Sequence, residues 1–277
     1  LSDHRLEQAL SRVRPSQREF LQLLPLLLHI NHPLLPGYVS KDAPAGIMSY
    51  EPKQAELQAA SRLTKSFQYR KPGHCQLVAL YAMGSVGTMA QTSGSDFDMW
   101  LCHDPALTPK DLGQLQQKAT AIEQAAERLQ LEVHFFLINP DTYRLGEVLE
   151  LSSESSGSAQ YHLLLDEFYR TAILVAGQFP AWWLVPPEEG HNYAEYVGRL
   201  KERRFVFSKD MVDFGGLDTI PAGEIFGASV WQLSKAIDSP YKSMIKLLLI
   251  EIYVSEYPQM ELLSVRFKKA IYSGAID

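Results

Sequence analysis

The chain has 277 residues, 46% of them hydrophobic and 21% charged, so disorder is excluded and one large domain or two small ones are expected. Lys plus Arg number 26 against 32 Asp plus Glu, a net charge of −6 that argues against nucleic acid as the main partner yet leaves room for a local basic pocket around one nucleotide. Cys75 and Cys102 are too few for a secreted disulfide framework, which points to a reducing cytoplasm.

Residues 1–70 read as a helical segment. Phe20, Leu23, Leu24, Leu27 and Leu28 recur at helical spacing over 15–29. The next stretch, NHPLLPGYVSKDAPAG, is too rich in Pro and Gly for regular structure. Residues 52–67 form a polar helix candidate with Leu57, Ala60 and Leu63 on one side. The texture changes over 71–187, where QLVALYAM (76–83), FDMWLC (97–102) and EVHFFLI (132–138) read as buried strands. Between the last two, Thr108 as N-cap, Pro109 at N1 and Asp111 at N3 predict a helix over 109–130. Asn139-Pro140 stops the third strand, and SSESSGSA (152–159) is a low-complexity polar loop. A helix is expected over 161–176 and one more strand over 182–185. Residues 188–277 hold four helix candidates, 191–204, 221–237, 240–256 and 259–272. The most apolar stretches, FLQLLPLLLHI and LLLIEIYV, are shorter than the ~20 apolar residues of a membrane span, and LSDHRLEQ lacks a signal-peptide core. The expected class is α+β: a small mixed sheet with helices, followed by a C-terminal helical domain.

The chemistry concentrates in AMGSVGTMAQTSGSDFDMWLC (82–102). A strand ends in Gly84-Ser85, ten residues intervene, and Asp96-Phe97-Asp98 opens another strand. Residues two apart on a strand share a face, so Asp96 and Asp98 project together while Phe97, Met99 and Leu101 enter the core. Two adjacent carboxylates repel unless a cation lies between them, and a hard ion such as magnesium suits their oxygens. Gly84 permits close backbone approach, and the Ser85 hydroxyl with nearby N–H groups suits phosphate oxygens. Glu132 opens the third strand and would supply a third carboxylate. Ser239-Pro240-Tyr241-Lys242 reads as the capped start of a helix, with Lys242 and Lys246 on one face as a phosphate site. Arg170 is a weaker phosphate candidate, balanced against an ion pair with its neighbouring acids.

The pattern resembles the nucleotidyltransferase superfamily of DNA polymerase β. It resembles one branch more closely, the class I (enterobacterial-type) adenylate cyclases. The matching segments include LLPLLLHINHPLLPGYV, YAMGSVGTMAQTSGSDFDMWLCH, LEVHFFLI, QYHLLLDEFYRTAILVAG, DFGGL and EIFGASVWQLSKAIDSPYKSMIKLLLIE. The resemblance implies a polymerase β-type nucleotidyltransferase core over 71–187, completed at its nucleotide site by the helical domain 188–277. It implies that ATP is cyclised to 3′,5′-cyclic AMP and pyrophosphate, with Asp96, Asp98 and Glu132 as ligands of two Mg2+ ions and Mn2+ able to substitute. The same ligands serve a nucleotidyltransferase that moves a nucleotide onto a small molecule, a protein or RNA, which is the competing reading. Family members are longer and carry a regulatory C-terminal region, and a phosphotransferase-system sugar-carrier protein is the regulator the resemblance implies for the full-length enzyme. Other residues read as structural: His29 and His32 as a turn, Cys102 as core, and Trp182-Trp183 as core with one ring able to stack on adenine. Lys268 reads as a lysine outside the site.

Overall fold

The computed structural model describes residues 2–88, 91–92, 94–146, 160–203, 205–206, 209–217 and 219–275. The polar loop expected over 152–159 lies outside the described residues. Two units separate by their contacts: Leu1–Pro140 with Thr171–Phe179 and Val206–Val212, and Asp141–Arg170 with Pro180–Phe205 and Asp213–Asp277.

The first unit is built on a four-stranded sheet of order β3-β2-β1-β4, with β1 at Leu77–Met83, β2 at Phe97–His103, β3 at Val133–Ile138 and β4 at Ile173–Gly177. β1 pairs antiparallel with both β2 and β4, whereas β2 and β3 run parallel, so the sheet is mixed. A parallel pair needs a crossover, and α4 (Pro109–Glu127) supplies it. Its start is the one expected: Asp111 N–H donates to the Thr108 hydroxyl at 3.3 Å, and Thr108 N–H donates to the Asp111 carboxylate at 3.0 Å. Helices α1 (Ser2–Ser11), α2 (Pro15–His29) and α3 (Gln54–Leu63) complete the unit. Phe97, Met99 and Leu101 of β2 and Val133 and Phe135 of β3 share one buried cluster with side chains of α1, α2 and α4. Alternation then turns Asp98 and His134 to the other face.

His29 is a structural residue, as expected. It is buried, its Nδ1 accepts from Ile47 N–H at 2.9 Å, and its other nitrogen lies 3.3 Å from the Tyr69 hydroxyl. Lys118 of α4 is also buried and donates to the Leu28 and Ile30 carbonyls and the Asn31 side chain at 3.2, 3.0 and 2.8 Å. Cys102 is fully buried core, and burial pushes its thiol up.

The second unit is helical: α5 (Pro140–Arg144, its first residue belonging to the first unit), α6 (Tyr161–Thr171, its last residue belonging to the first unit), α7 (Tyr193–Glu202), α8 (Ala222–Lys235), α9 (Pro240–Glu256) and α10 (Leu263–Tyr272). Buried Asp166 ties it together, accepting from the Tyr253 hydroxyl at 2.6 Å and Ser264 N–H at 3.0 Å. Among the described residues no helix is long and apolar enough to cross a membrane.

Two local expectations are corrected. The helix expected over 161–176 ends at Thr171, and Ile173–Gly177 is the strand β4. Gly177 has φ +98°, and a Cβ there would lie 2.5 Å from the Val78 carbonyl, so close strand pairing requires glycine. The strand expected over 182–185 is a 3₁₀ turn, Ala181–Leu184, whose Trp182 ring stacks on Tyr169 at 4.4 Å. Lys268, read as a lysine outside the site, packs against Trp182. It is buried, donates to the Trp182 carbonyl and sits 3.9 Å from that ring's centre, and burial lowers its pKa to about 7.

Candidate active site

Register brings the Gly-Ser turn to the carboxylates. Met83, the last residue of β1, is the cross-strand partner of Asp98. Gly84 follows with φ +77°, a conformation open to glycine, and a Cβ built on it would lie 3.6 Å from Asp98 Oδ2. The bare edge of the turn therefore looks onto a carboxylate. The Ser85 carbonyl accepts from Thr88 N–H at 3.0 Å and from the Thr88 hydroxyl at 2.6 Å, closing the turn. The Ser85 hydroxyl donates to Ser95 Oγ at 3.4 Å. Asp96 sits just before β2 and, like Asp98, is half-buried.

On the neighbouring strand, Asp98 pairs with His134, and Phe97 N–H donates to the Glu132 carbonyl at 2.9 Å. Glu132 lies one residue before β3, its side chain 65% exposed. His134 Nε2 lies 3.0 Å from Glu132 Oε1 and donates to it. Partial burial lowers the His134 pKa, but the hydrogen bond to Glu132 and the charges of Glu132, Asp98 and Glu123 outweigh it, so the imidazole is raised above its usual range. His134 received no role from the sequence, although Glu-Val-His puts it on the face of Glu132 (two residues apart on a strand).

Among the described residues no group of three or more His, Cys, Asp or Glu is arranged to hold a metal ion. Magnesium does not require one, since it is usually held by one or two carboxylates together with substrate phosphates. The paired aspartates, hard oxygen donors beside an open glycine turn, fit that ion.

The remaining candidates lie in the second unit. Arg170 Nε is 4.0 Å from Asp166 Oδ2, and this buried nitrogen has no hydrogen-bond partner among the described residues. α9 starts at Pro240 after Ser239, as expected, but the Ser239 side chain makes no capping bond. Lys242 and Lys246 are exposed, with Lys246 Nζ 3.9 Å from Glu167 Oε2.

The family model for the adenylate cyclase NT domain matches residues 1–183, and that for the class-I adenylate cyclase second domain matches residues 220–277. The chain is 43% identical to an adenylate cyclase of Pasteurella multocida (strain Pm70), over 99% of this chain and 34% of that protein. It is 40% identical to one of Escherichia coli (strain K12), over 98% of this chain and 32% of the relative. The chain thus spans about a third of the length of the curated relatives it matches. A crystal structure of a toxin-antitoxin with AMP-PNP aligns over 48% of this chain and 83% of that one, but a TM-score of 0.23 at 15% identity carries no argument. Both family models point to one family, and the chain belongs to the class-I adenylate cyclase family.

Proposed function

We propose that this chain carries the nucleotide chemistry of an adenylate cyclase, closing ATP to 3′,5′-cyclic AMP with release of pyrophosphate. The observation that carries the reading is Gly84 at φ +77°, with its missing side chain directed at Asp98 Oδ2. A bare left-handed turn beside a carboxylate gives a triphosphate, with its counter-ion, room to reach the backbone. The names of the relatives support the same activity. The mixed sheet, with its glycine turn and Asp-x-Asp strand, supports a polymerase β-type nucleotidyltransferase core. A cytoplasmic setting, where ATP is abundant and thiols stay reduced, belongs to the same reading.

Asp96 and Asp98 would hold two Mg2+ ions, or Mn2+, with Glu132 as the further ligand. When bound, such ions supply positive charge that acidifies the 3′-OH and offsets charge on the departing pyrophosphate. The chain's own groups do the rest. Gly84 and Ser85 receive the phosphates, and Glu132 takes the proton of the 3′-OH. The O3′–Pα bond forms as the bond from Pα to the bridging oxygen breaks, and pyrophosphate leaves with that electron pair. His134, through its bond to Glu132 Oε1, fixes which oxygen faces the hydroxyl.

Purified chain with ATP and Mg2+ or Mn2+, without any acceptor, tests the proposal by chromatography of the products. Equimolar cyclic AMP and pyrophosphate are expected. ATP consumed only when a small molecule, protein or RNA acceptor is added would replace the cyclase with a nucleotidyltransferase.

A further inference from the structure

The segment that follows β1 is held from the side of α1, all within the first unit. Gln91 is only 6% exposed. Its side-chain oxygen accepts from Gly87 N–H at 2.8 Å, and its side-chain nitrogen donates to the Ala9 carbonyl at 3.2 Å. Arg12, just past the end of α1, donates to the Thr88 carbonyl and, at 3.3 Å, to the Gln91 carbonyl. Gly87, at φ +67°, approaches α1 so closely that a Cβ would lie 2.8 Å from the Arg5 carbonyl. Thr88 in turn bonds back to Ser85 through its N–H and its hydroxyl. The chain of contacts therefore runs from α1, through Gln91 and Arg12, to Gly87 and Thr88, and from Thr88 to Ser85.

We propose that Gln91 and Arg12 are positioning residues for the phosphate turn, and that α1 is the support against which they hold it. This inference rests on the proposed role of Gly84 and Ser85 and extends it to residues that touch no substrate. A short turn with few bonds of its own loses conformational freedom when a triphosphate binds. Fixing it beforehand removes that cost from binding and leaves the phosphates better aligned for displacement. A cation on two carbonyls and a buried amide bridging an N–H and a carbonyl are suited to fix backbone rather than bind ligand, because their polar atoms are already turned toward main chain.

ATP kinetics of Arg12→Ala, Gln91→Ala and Arg12→Lys, measured with thermal midpoints, provide the test. The control is Arg14→Ala, whose guanidinium bonds the Gln130 side chain at 2.7 Å instead. Loss of one such hold should raise KM about five- to tenfold with a smaller change in kcat. Arg12→Lys should recover part of the loss, since it keeps the cation but not the fork. Arg14→Ala should match the unaltered chain. A fall in thermal midpoint with KM and kcat unchanged would overturn the inference, leaving the bonds purely structural. Should the unaltered chain form no cyclic nucleotide, the proposed function fails separately, and amide exchange over residues 84–88 with a non-hydrolysable ATP analogue decides the inference. Protection present in the unaltered chain and lost in Gln91→Ala supports it. Equal protection in both, or none in either, overturns it.

Discussion

Gly84 and Asp98 face each other at the residue scale, where a single side chain can be changed at a time. The Gly84→Ala methyl would sit 3.6 Å from Asp98 Oδ2, ordinary contact, but its left-handed backbone would cost about 1–2 kcal/mol. We expect a folded protein whose thermal midpoint falls by ~2–4 °C, with kcat/KM down about tenfold or more because the methyl takes the space of a phosphate. Near-normal kcat/KM in that variant would remove the turn from the site. Glu132→Gln separates binding from chemistry. It should still bind a non-hydrolysable ATP analogue with Mg2+, because Asp96 and Asp98 remain, while turnover falls on the order of 10³-fold. Analogue binding lost together with turnover would place Glu132 in substrate binding. His29 carries a pH prediction of its own. Burial, followed by the charges of Lys118 and Lys71, lowers its pKa from 6.5 to about 4, so the unfolded chain takes up a proton that the folded chain refuses. The stability it contributes is present above pH 6.5 and lost as pH falls toward 4, on the order of 3 kcal/mol across that window. Urea midpoints between pH 7 and 4 should therefore fall less steeply in His29→Gln than in the unaltered chain.

Elements differ in how much they owe to local sequence. α4 was legible because Thr108, Pro109 and Asp111 are each placed by the backbone groups at one helix end, and the structure repeats that start bond for bond. β1, β2 and β3 were legible within a residue, since an apolar run closed by Gly84 or Asn139 leaves little alternative. β4 was not. Ile173–Gly177 is a short apolar run with no period of its own, and only pairing with β1, a non-local fact, makes it a strand. The site followed the same division. The sequence alone put Asp98 on the face opposite Phe97 and Met99, whereas the bond from His134 to Glu132 depends on side-chain reach that spacing does not fix. Arg12 and Gln91 were illegible because residues 79 apart meet only in the folded unit. α9 gives a prediction at this scale. The sequence offers its exposed Lys242 and Lys246 as phosphate ligands, and charge-assisted contacts are worth ~1.5–3 kcal/mol each. Lys242→Ala and Lys246→Ala should then raise KM for ATP by about tenfold or more, with a smaller fall in kcat, beside the exposed control Lys110→Ala. Kinetics equal to the control would return both lysines to a solvated face. Lys268, buried under Trp182, is unsuitable as that control.

For the whole molecule, a net charge of −6 makes ATP binding unfavourable at long range, so affinity must come from the counter-ion and from local groups. That charge balance makes metal dependence the most direct measure of the account. We propose that the Gly84 turn and Asp98 form one nucleotide site that works through a divalent ion. Calorimetric titration of a non-hydrolysable ATP analogue, with and without Mg2+, into the unaltered chain and Asp98→Ala tests it directly. We predict binding to the unaltered chain that requires Mg2+, and a loss of about 100-fold or more in Asp98→Ala at an unchanged thermal midpoint. Analogue binding of equal strength in both proteins, or binding indifferent to Mg2+, would contradict it.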